Sequence, residues 1–202
     1  MYVSGLSLLR FRSYNYASLK LEPGINVFVG TNGQGKTNLI EAINYCASFS
    51  SHRVAGDQPL VKHGEDNAIV QVVVEQSARS ISLEVEINPG KTNKVKQNGS
   101  SLSKAREILG ILLTVTFAPE DLMLVKGDPG ERRKFMDDAI NQLMPSFSAV
   151  RADFEKCLRQ RNALLKSAYG KTTDEVMHTL DVWDQQLART GAQVMYHRLK
   201  LV

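Results

Sequence analysis

The stretch Gly30-Thr-Asn-Gly-Gln-Gly35-Lys36-Thr37 constrains this chain more than anything else in its 202 residues. It follows a compact apolar run, Ile-Asn-Val-Phe-Val at residues 25–29, and precedes a segment with helical spacing of apolar side chains. Together these match G-x-x-x-x-G-K-[ST] in its strand-to-helix setting. Each residue type has a physical job there. Glycines at 30, 33 and 35 let the backbone turn tightly and approach an anion with no Cβ in the way. Successive backbone N–H groups then line one concavity, and the helix start adds unsatisfied donors and a positive dipole end. Lys36 brings a full charge, and Thr37 a hydroxyl suited to Mg²⁺. Gly30, Thr31, Asn32, Gly33, Gln34, Gly35, Lys36, Thr37 and Asn38 are therefore the candidate residues for a nucleoside triphosphate.

The rest of the chain changes character near Pro119. Before it, β-type runs dominate. A first strand is expected over residues 3–12, a short one over 19–21, and a buried one over 25–29. Residues 36–49 read as a helix with Leu39, Ile40, Ile43 and Ala47 on one face, Glu41 and Asn44 off it. Residues 68–75 are β-branched and apolar, 80–87 alternate well, and 94–97 lead into Asn98-Gly99, a strong hairpin turn signal. A further strand is expected at 112–117. After Pro119 the spacing is helical, with seams running from Phe147 to Ala168 and from Val176 to Leu201. A short polar turn, residues 169–173, joins them into an antiparallel helical hairpin, either an ordinary bundle pair or a projecting arm. The expected organisation is α/β: residues 1–118 a lobe carrying the glycine loop in a mixed sheet with an antiparallel β-subdomain, and residues 119–202 a helical arm domain.

Composition narrows the function classes. Twenty-five Lys+Arg against 21 Asp+Glu gives a net charge of +4, which permits an anionic partner without demanding one. Two cysteines, Cys46 and Cys157, give no disulfide framework and no metal cluster. The first ten residues do not read as a signal peptide, and no apolar stretch reaches the roughly 20 residues that span a bilayer, so a cytoplasmic location without membrane contact is expected. No Asn/Thr-Lys-x-Asp tetrapeptide is present for reading guanine, and no apolar strand after the loop ends in the carboxylate that most NTPases place near Mg²⁺. Because the chain stops inside a helical pattern, a fragment is expected, its acidic strand and further sheet lying beyond residue 202. The competing reading is a self-contained phosphotransferase acting on a small molecule. A third is a scaffold whose helical hairpin binds a protein.

Four stretches resemble the RecF family of bacterial recombination-mediator ATPases of the SMC/ABC type. They are Leu8-Leu-Arg-Phe-Arg-Ser-Tyr14, the glycine loop with Leu39-Ile-Glu-Ala-Ile43, Ser51-His-Arg53 with Leu60-Val-Lys-His-Gly64, and Val115-Thr-Phe-Ala-Pro-Glu-Asp-Leu122 with Val125-Lys-Gly-Asp-Pro-Gly-Glu-Arg-Arg133. They cover residues 1 to about 140, and the last pair is the most specific. The resemblance implies a P-loop NTPase head of ABC/SMC-like type with a helical arm, ATP and Mg²⁺ as cofactors, and ATP-dependent homodimerisation with slow hydrolysis. It implies DNA binding at gaps with single-strand to double-strand junctions, and work with RecO and RecR in replication, gap repair and the SOS response.

The resemblance also draws in residues outside the loop. A basic residue where Arg12 stands reaches the nucleotide in related ATPases; the alternative is a solvated strand-end arginine. Arg53 and His63 fall where the family folds the chain over the nucleotide, although His63 also reads as a surface or turn histidine. Ala118-Pro-Glu-Asp121 occupies the place of the SMC glutamine loop, so Glu120 or Asp121 is a candidate at the metal; the alternative is a helix start with Pro119 first and two acids complementing the dipole. For DNA, Lys94 and Lys96 beside the Asn98-Gly99 turn, and Arg132 and Arg133, are candidate phosphate contacts, against solvated surface charge. Aromatic residues do not interleave with these bases, which argues against a single-strand stacking platform.

Overall fold

In the computed structural model, residues 1–51, 53–54, 56–169 and 173–202 are described, Glu120 and Met123 by their backbone alone. Two compact units emerge, Met1–Glu131 and Arg132–Val202.

The first unit is built on six strands: β1 (Tyr2–Leu9), β2 (Tyr16–Lys20), β3 (Ala68–Gln76), β4 (Arg79–Ile87), β5 (Lys94–Gln97) and β6 (Ser100–Ser101). They form one sheet in the order β2-β1-β3-β4-β5-β6, antiparallel throughout. Alternation sets which face is buried. Val70, Val72 and Val74 of β3 and Leu83, Val85 and Ile87 of β4 are fully buried, and the register pairs Val72 with Leu83 and Val70 with Val85. The Asn98-Gly99 turn takes φ of 50° and 79°, the positive pair that a two-residue hairpin needs.

Helix α1 (Lys36–Ser48) lies on the buried face and packs against β1, β3 and β4. Ala42, Tyr45, Cys46 and Ala47 are at most 1% exposed, and Leu6, Leu8, Phe11 and Leu60 complete the same core. Burial pushes the Cys46 thiol up, so it stays protonated. The buried face of α1 keeps Leu39, Ile43 and Ala47 of the expected one but departs from it at two places: Ile40 is exposed, whereas Glu41 is completely buried. Two guanidiniums meet that carboxylate, which is what makes its burial tolerable.

Two expected strands do not form. Residues 25–29 belong to no ladder, and Ile25, Val27 and Val29 are 94%, 75% and 89% exposed. Residues 112–117 contribute a single bridge, Leu109 to Leu112, and Val115 and Phe117 are almost wholly exposed. An apolar run becomes a buried strand only when neighbours satisfy its backbone and cover both faces. Among the described residues neither segment has such neighbours, so the parallel part of the expected mixed sheet is not present. One side of each segment is anchored all the same: Phe28 packs on the core, and the hydroxyls of Thr114 and Thr116 donate to Asn44 Oδ1 at 2.9 and 3.1 Å.

The Pro119–Leu122 stretch is a short 3-10 turn leading into α2 (Met123–Lys126). Helices α3 (Pro129–Leu143), α4 (Phe147–Ser167) and α5 (Asp174–Leu201) follow. The α4–α5 pair is antiparallel, as the seam spacing predicted: Phe147 meets His197, Phe154 lies against Gly191, and Arg161 pairs with Asp184. Part of the connecting turn, residues 170–172, lies outside the described residues. Thr173 caps α5, its hydroxyl accepting from the Val176 N–H. A second small core forms around Ile140, Phe147 and Val194. Beside it, Arg198 grips the buried Asp137 through two bonds of 2.8 Å.

Candidate nucleotide-binding site

The glycine loop opens directly into α1. Gly33 and Gly35 have φ of 83° and 89°, a region costly for any side chain. Gly35 also lacks room: a Cβ there would sit 2.8 Å from Ser13 Oγ and 3.1 Å from the Tyr14 ring. The turn after β1 therefore closes on the loop, and the Tyr14 hydroxyl donates to Gln34 O at 3.5 Å. Lys36 folds back over the loop, and its ammonium donates to Gly30 O and Thr31 O, each at 2.8 Å. No side chain caps the start of α1, and its first turn holds no acidic residue. The result is a cation and a row of helix-start donors with no negative charge among them, which fits a phosphate chain.

The fit to Mg²⁺ is of the kind this ion prefers, which is few protein ligands and much water and phosphate. Thr37 is exposed at the helix start and can offer its hydroxyl. Among the described residues no cluster of three or more His, Cys, Asp or Glu forms a metal site. Asp121 accepts from the Ala118 N–H at 2.7 Å, so its carboxylate caps its own turn. The Glu120 side chain lies outside the described residues.

Two clefts flank the loop. One, of about 550 Å³, has Lys36, Thr37, Ile40, Phe28, Phe117 and Arg53 in its walls. The other, of about 850 Å³, includes Arg12, Ser13, Asn38, His63 and again Arg53. The structure thus brings Arg12, Asn38, Arg53 and His63 to one opening beside the glycine loop. His63 is exposed there.

Beneath them lies Glu41, which the sequence reading placed away from the buried face. Arg12 Nε and Nη2 donate to its two oxygens at 2.9 and 2.5 Å, and Ser51 Oγ donates to Oε1 at 2.5 Å. Arg53 Nη1 stands 3.5 Å from Oε2 and donates to Asn38 Oδ1 at 3.1 Å. Burial alone would raise the carboxyl pKa, but the bonds from Arg12 and Ser51 and the charges of Arg12 and Arg53 hold it below the usual carboxylate value. The signal that could have found it is an acid flanked by apolar pairs, Leu39-Ile40 and Ala42-Ile43, with arginines on either side in sequence.

Of the candidate DNA contacts, Lys94 and Lys96 lie on β5. Lys94 pairs with Glu86 at 3.2 Å and Lys96 with Glu84 at 2.7 Å across the β4–β5 ladder, so much of their charge is locally offset. Arg132 and Arg133 are exposed on α3.

Residues 2–164 match the RecF/RecN/SMC N terminal domain. The chain belongs to that family. Within it, the proteins called DNA replication and repair protein RecF in Kineococcus radiotolerans and in an Arthrobacter species are 51% and 53% identical over the whole of this chain. The chain spans about half the length of these RecF relatives, 52% and 51%. A solved structure of the recombination mediator protein RecF-ATP in the RecFOR pathway superposes with a TM-score of 0.91 at 31% identity, over 99% of this chain and 53% of that one. An SMC ATPase, studied for ATP-driven dimerization and DNA-stimulated activation, shares the fold at a TM-score of 0.54 and 22% identity, over 69% of this chain and 99% of that one. The RecF-type P-loop head expected from the motifs is therefore the fold of this chain. No helix among the described residues is long and apolar enough to cross a membrane.

Proposed function

We propose that this chain is the nucleotide-gripping N-terminal part of a RecF-like DNA replication and repair ATPase, and that its glycine loop holds ATP with Mg²⁺. The observation that carries this is the Lys36 ammonium drawn over the loop onto two carbonyls at an uncapped helix start. Main-chain N–H groups of residues 30–38 and Lys36 bind the phosphates, and Thr37 ligates the metal. Mg²⁺, when bound, offsets phosphate charge that the lysine alone leaves unbalanced. Arg12, Arg53 and His63 line the opening beside the loop and add positive or polar contacts. The relatives' names and the RecF-ATP structure support the reading.

Several properties come with it. The protein binds DNA at single-strand to double-strand junctions, dimerises on ATP, and works with RecO and RecR in gap repair and the SOS response in the cytoplasm. Arg132 and Arg133 contribute DNA phosphate contacts, and Lys94 and Lys96, whose charges are offset by Glu86 and Glu84, contribute less. The exposed apolar residues of 25–29 and 112–117 are covered by strands from the other half of a RecF-length protein. Nothing in the geometry favours a self-contained phosphotransferase.

The test is calorimetry with a non-hydrolysable ATP analogue and Mg²⁺ on the full-length protein. Binding that Lys36→Ala weakens by an order of magnitude supports the assignment. Equal affinity in both proteins overturns it.

A further inference from the structure

The geometry points to Glu41 as a positioning residue for the nucleotide site: one buried carboxylate sets the places of two guanidiniums, Arg12 and Arg53, at the opening beside the loop. This rests on the nucleotide reading above and goes beyond it, because Glu41 itself faces no ligand. Its side chain is completely buried, four residues after Thr37 on the same helix.

The two arginines depend on it unequally. Arg12 is fixed on three sides, by two bonds to Glu41 and by Nη1 donating to Pro59 O at 2.9 Å. Its backbone is held as well, at a φ of 54° with its N–H bonded to Leu60 O at 2.8 Å. Arg53 is held more loosely, by one bond to Asn38 and a 3.5 Å ion pair, and its side chain is 35% exposed against 16% for Arg12. Arg53 also lines both clefts, so it stands between the Lys36–Thr37 side and the Arg12–His63 side. Ser51 links the parts: its hydroxyl donates to Glu41 and accepts from the Arg53 N–H at 3.0 Å, which sets where the Arg53 backbone begins.

A carboxylate in this position does two things. It lets two cations stand side by side before any phosphate arrives, which their mutual repulsion would otherwise oppose. It also holds them in one geometry, so less ordering is left to the moment of binding. Losing the charge makes the opening more positive yet leaves the guanidiniums misplaced. The two effects act in opposite directions on anion affinity, and that separates positioning from simple charge.

The experiment is a pair of double-mutant cycles in the full-length protein, Glu41→Gln with Arg53→Ala and Glu41→Gln with Arg12→Ala. They measure affinity for a non-hydrolysable ATP analogue with Mg²⁺, alongside thermal melting. Glu41→Gln is expected to weaken binding about tenfold when both arginines are present, and about threefold when either one is alanine. The same tenfold loss in all three backgrounds means that Glu41 only supports the fold, and overturns the proposal. Unchanged or tighter binding by Glu41→Gln overturns it too, since charge alone then governs. If Glu41→Gln does not fold, Ser51→Ala replaces it in the cycle with Arg53→Ala. A loss of about threefold that disappears without Arg53 supports the proposal, and a loss independent of Arg53 overturns it. Failure of the nucleotide reading itself looks different: the wild-type protein then shows no analogue binding that Lys36→Ala reduces.

Discussion

The two sides of α1 carry similar side chains and meet opposite fates. On the sheet side, the valines of β3 and the aliphatic residues of β4 are sealed. On the other, Ile25, Val27, Val29, Val115 and Phe117 stand in the open. Hydrophobicity is the same in both places, and what differs is the backbone. β3 has a hydrogen-bonded neighbour on each side, β1 and β4, whereas residues 25–29 and 112–117 are in no ladder. Apolar side chains are buried where the main chain has partners to bring a second surface with it.

That contrast makes its sharpest prediction about stability. Leu83→Ala, on the sealed side, is expected to cost about 2–4 kcal/mol of unfolding free energy by urea titration of the 202-residue chain. Phe117→Ser in the same chain is expected to change it by less than about 0.5 kcal/mol. Comparable losses would break the comparison, because Phe117 would then have to be buried. The second prediction moves from stability to binding. Lys36→Ala should leave the melting temperature within a degree or two and weaken ATP-analogue affinity by at least tenfold, since a charge-assisted bond is worth about 1.5–3 kcal/mol. A large fall in melting temperature would mean that Lys36 staples the loop rather than awaiting a ligand.

A smaller effect concerns acid. The Glu41 carboxyl lies below its ordinary value in the folded chain, so its stabilising contribution is present at neutral pH and fades as the pH drops through that lowered value. In urea titrations down the acid range, Glu41→Gln should flatten this part of the pH dependence; an unchanged slope would show that the carboxylate is not what holds the two arginines. The smallest effect is expected at the hairpin. With Lys94 and Lys96 already paired to Glu86 and Glu84, neutralising both should alter the salt slope of DNA binding by less than about one unit. A larger change would return them to the DNA surface.

Legibility in the sequence divides along the same line. The meander could be read because alternation in 80–87 and the Asn98-Gly99 pair are local signals, and the structure places them as the pattern predicts. The glycine loop was legible for the same reason: its spacing carries its own geometry. Residues 25–29 and 112–117 were misread as strands because their composition is right but pairing is a property of distant chain. Glu41 was missed for a related reason. Helical spacing sorts residues by polarity, and a buried acid makes sense only once Arg12 and Arg53, 29 and 12 positions away, are known to converge on it.

The ties along α1 make it a strut. Asn38 holds Ser13 near the start of the helix, and Asn44 holds Thr114 and Thr116 farther along. Below them the Tyr45 hydroxyl, its ionisation suppressed by burial and by Asp57, donates to that aspartate at 2.7 Å while Asn93 donates to both. One helix thus spans from the glycine loop at its first turn to the base of the β4–β5 hairpin at its last, with side-chain ties near each end.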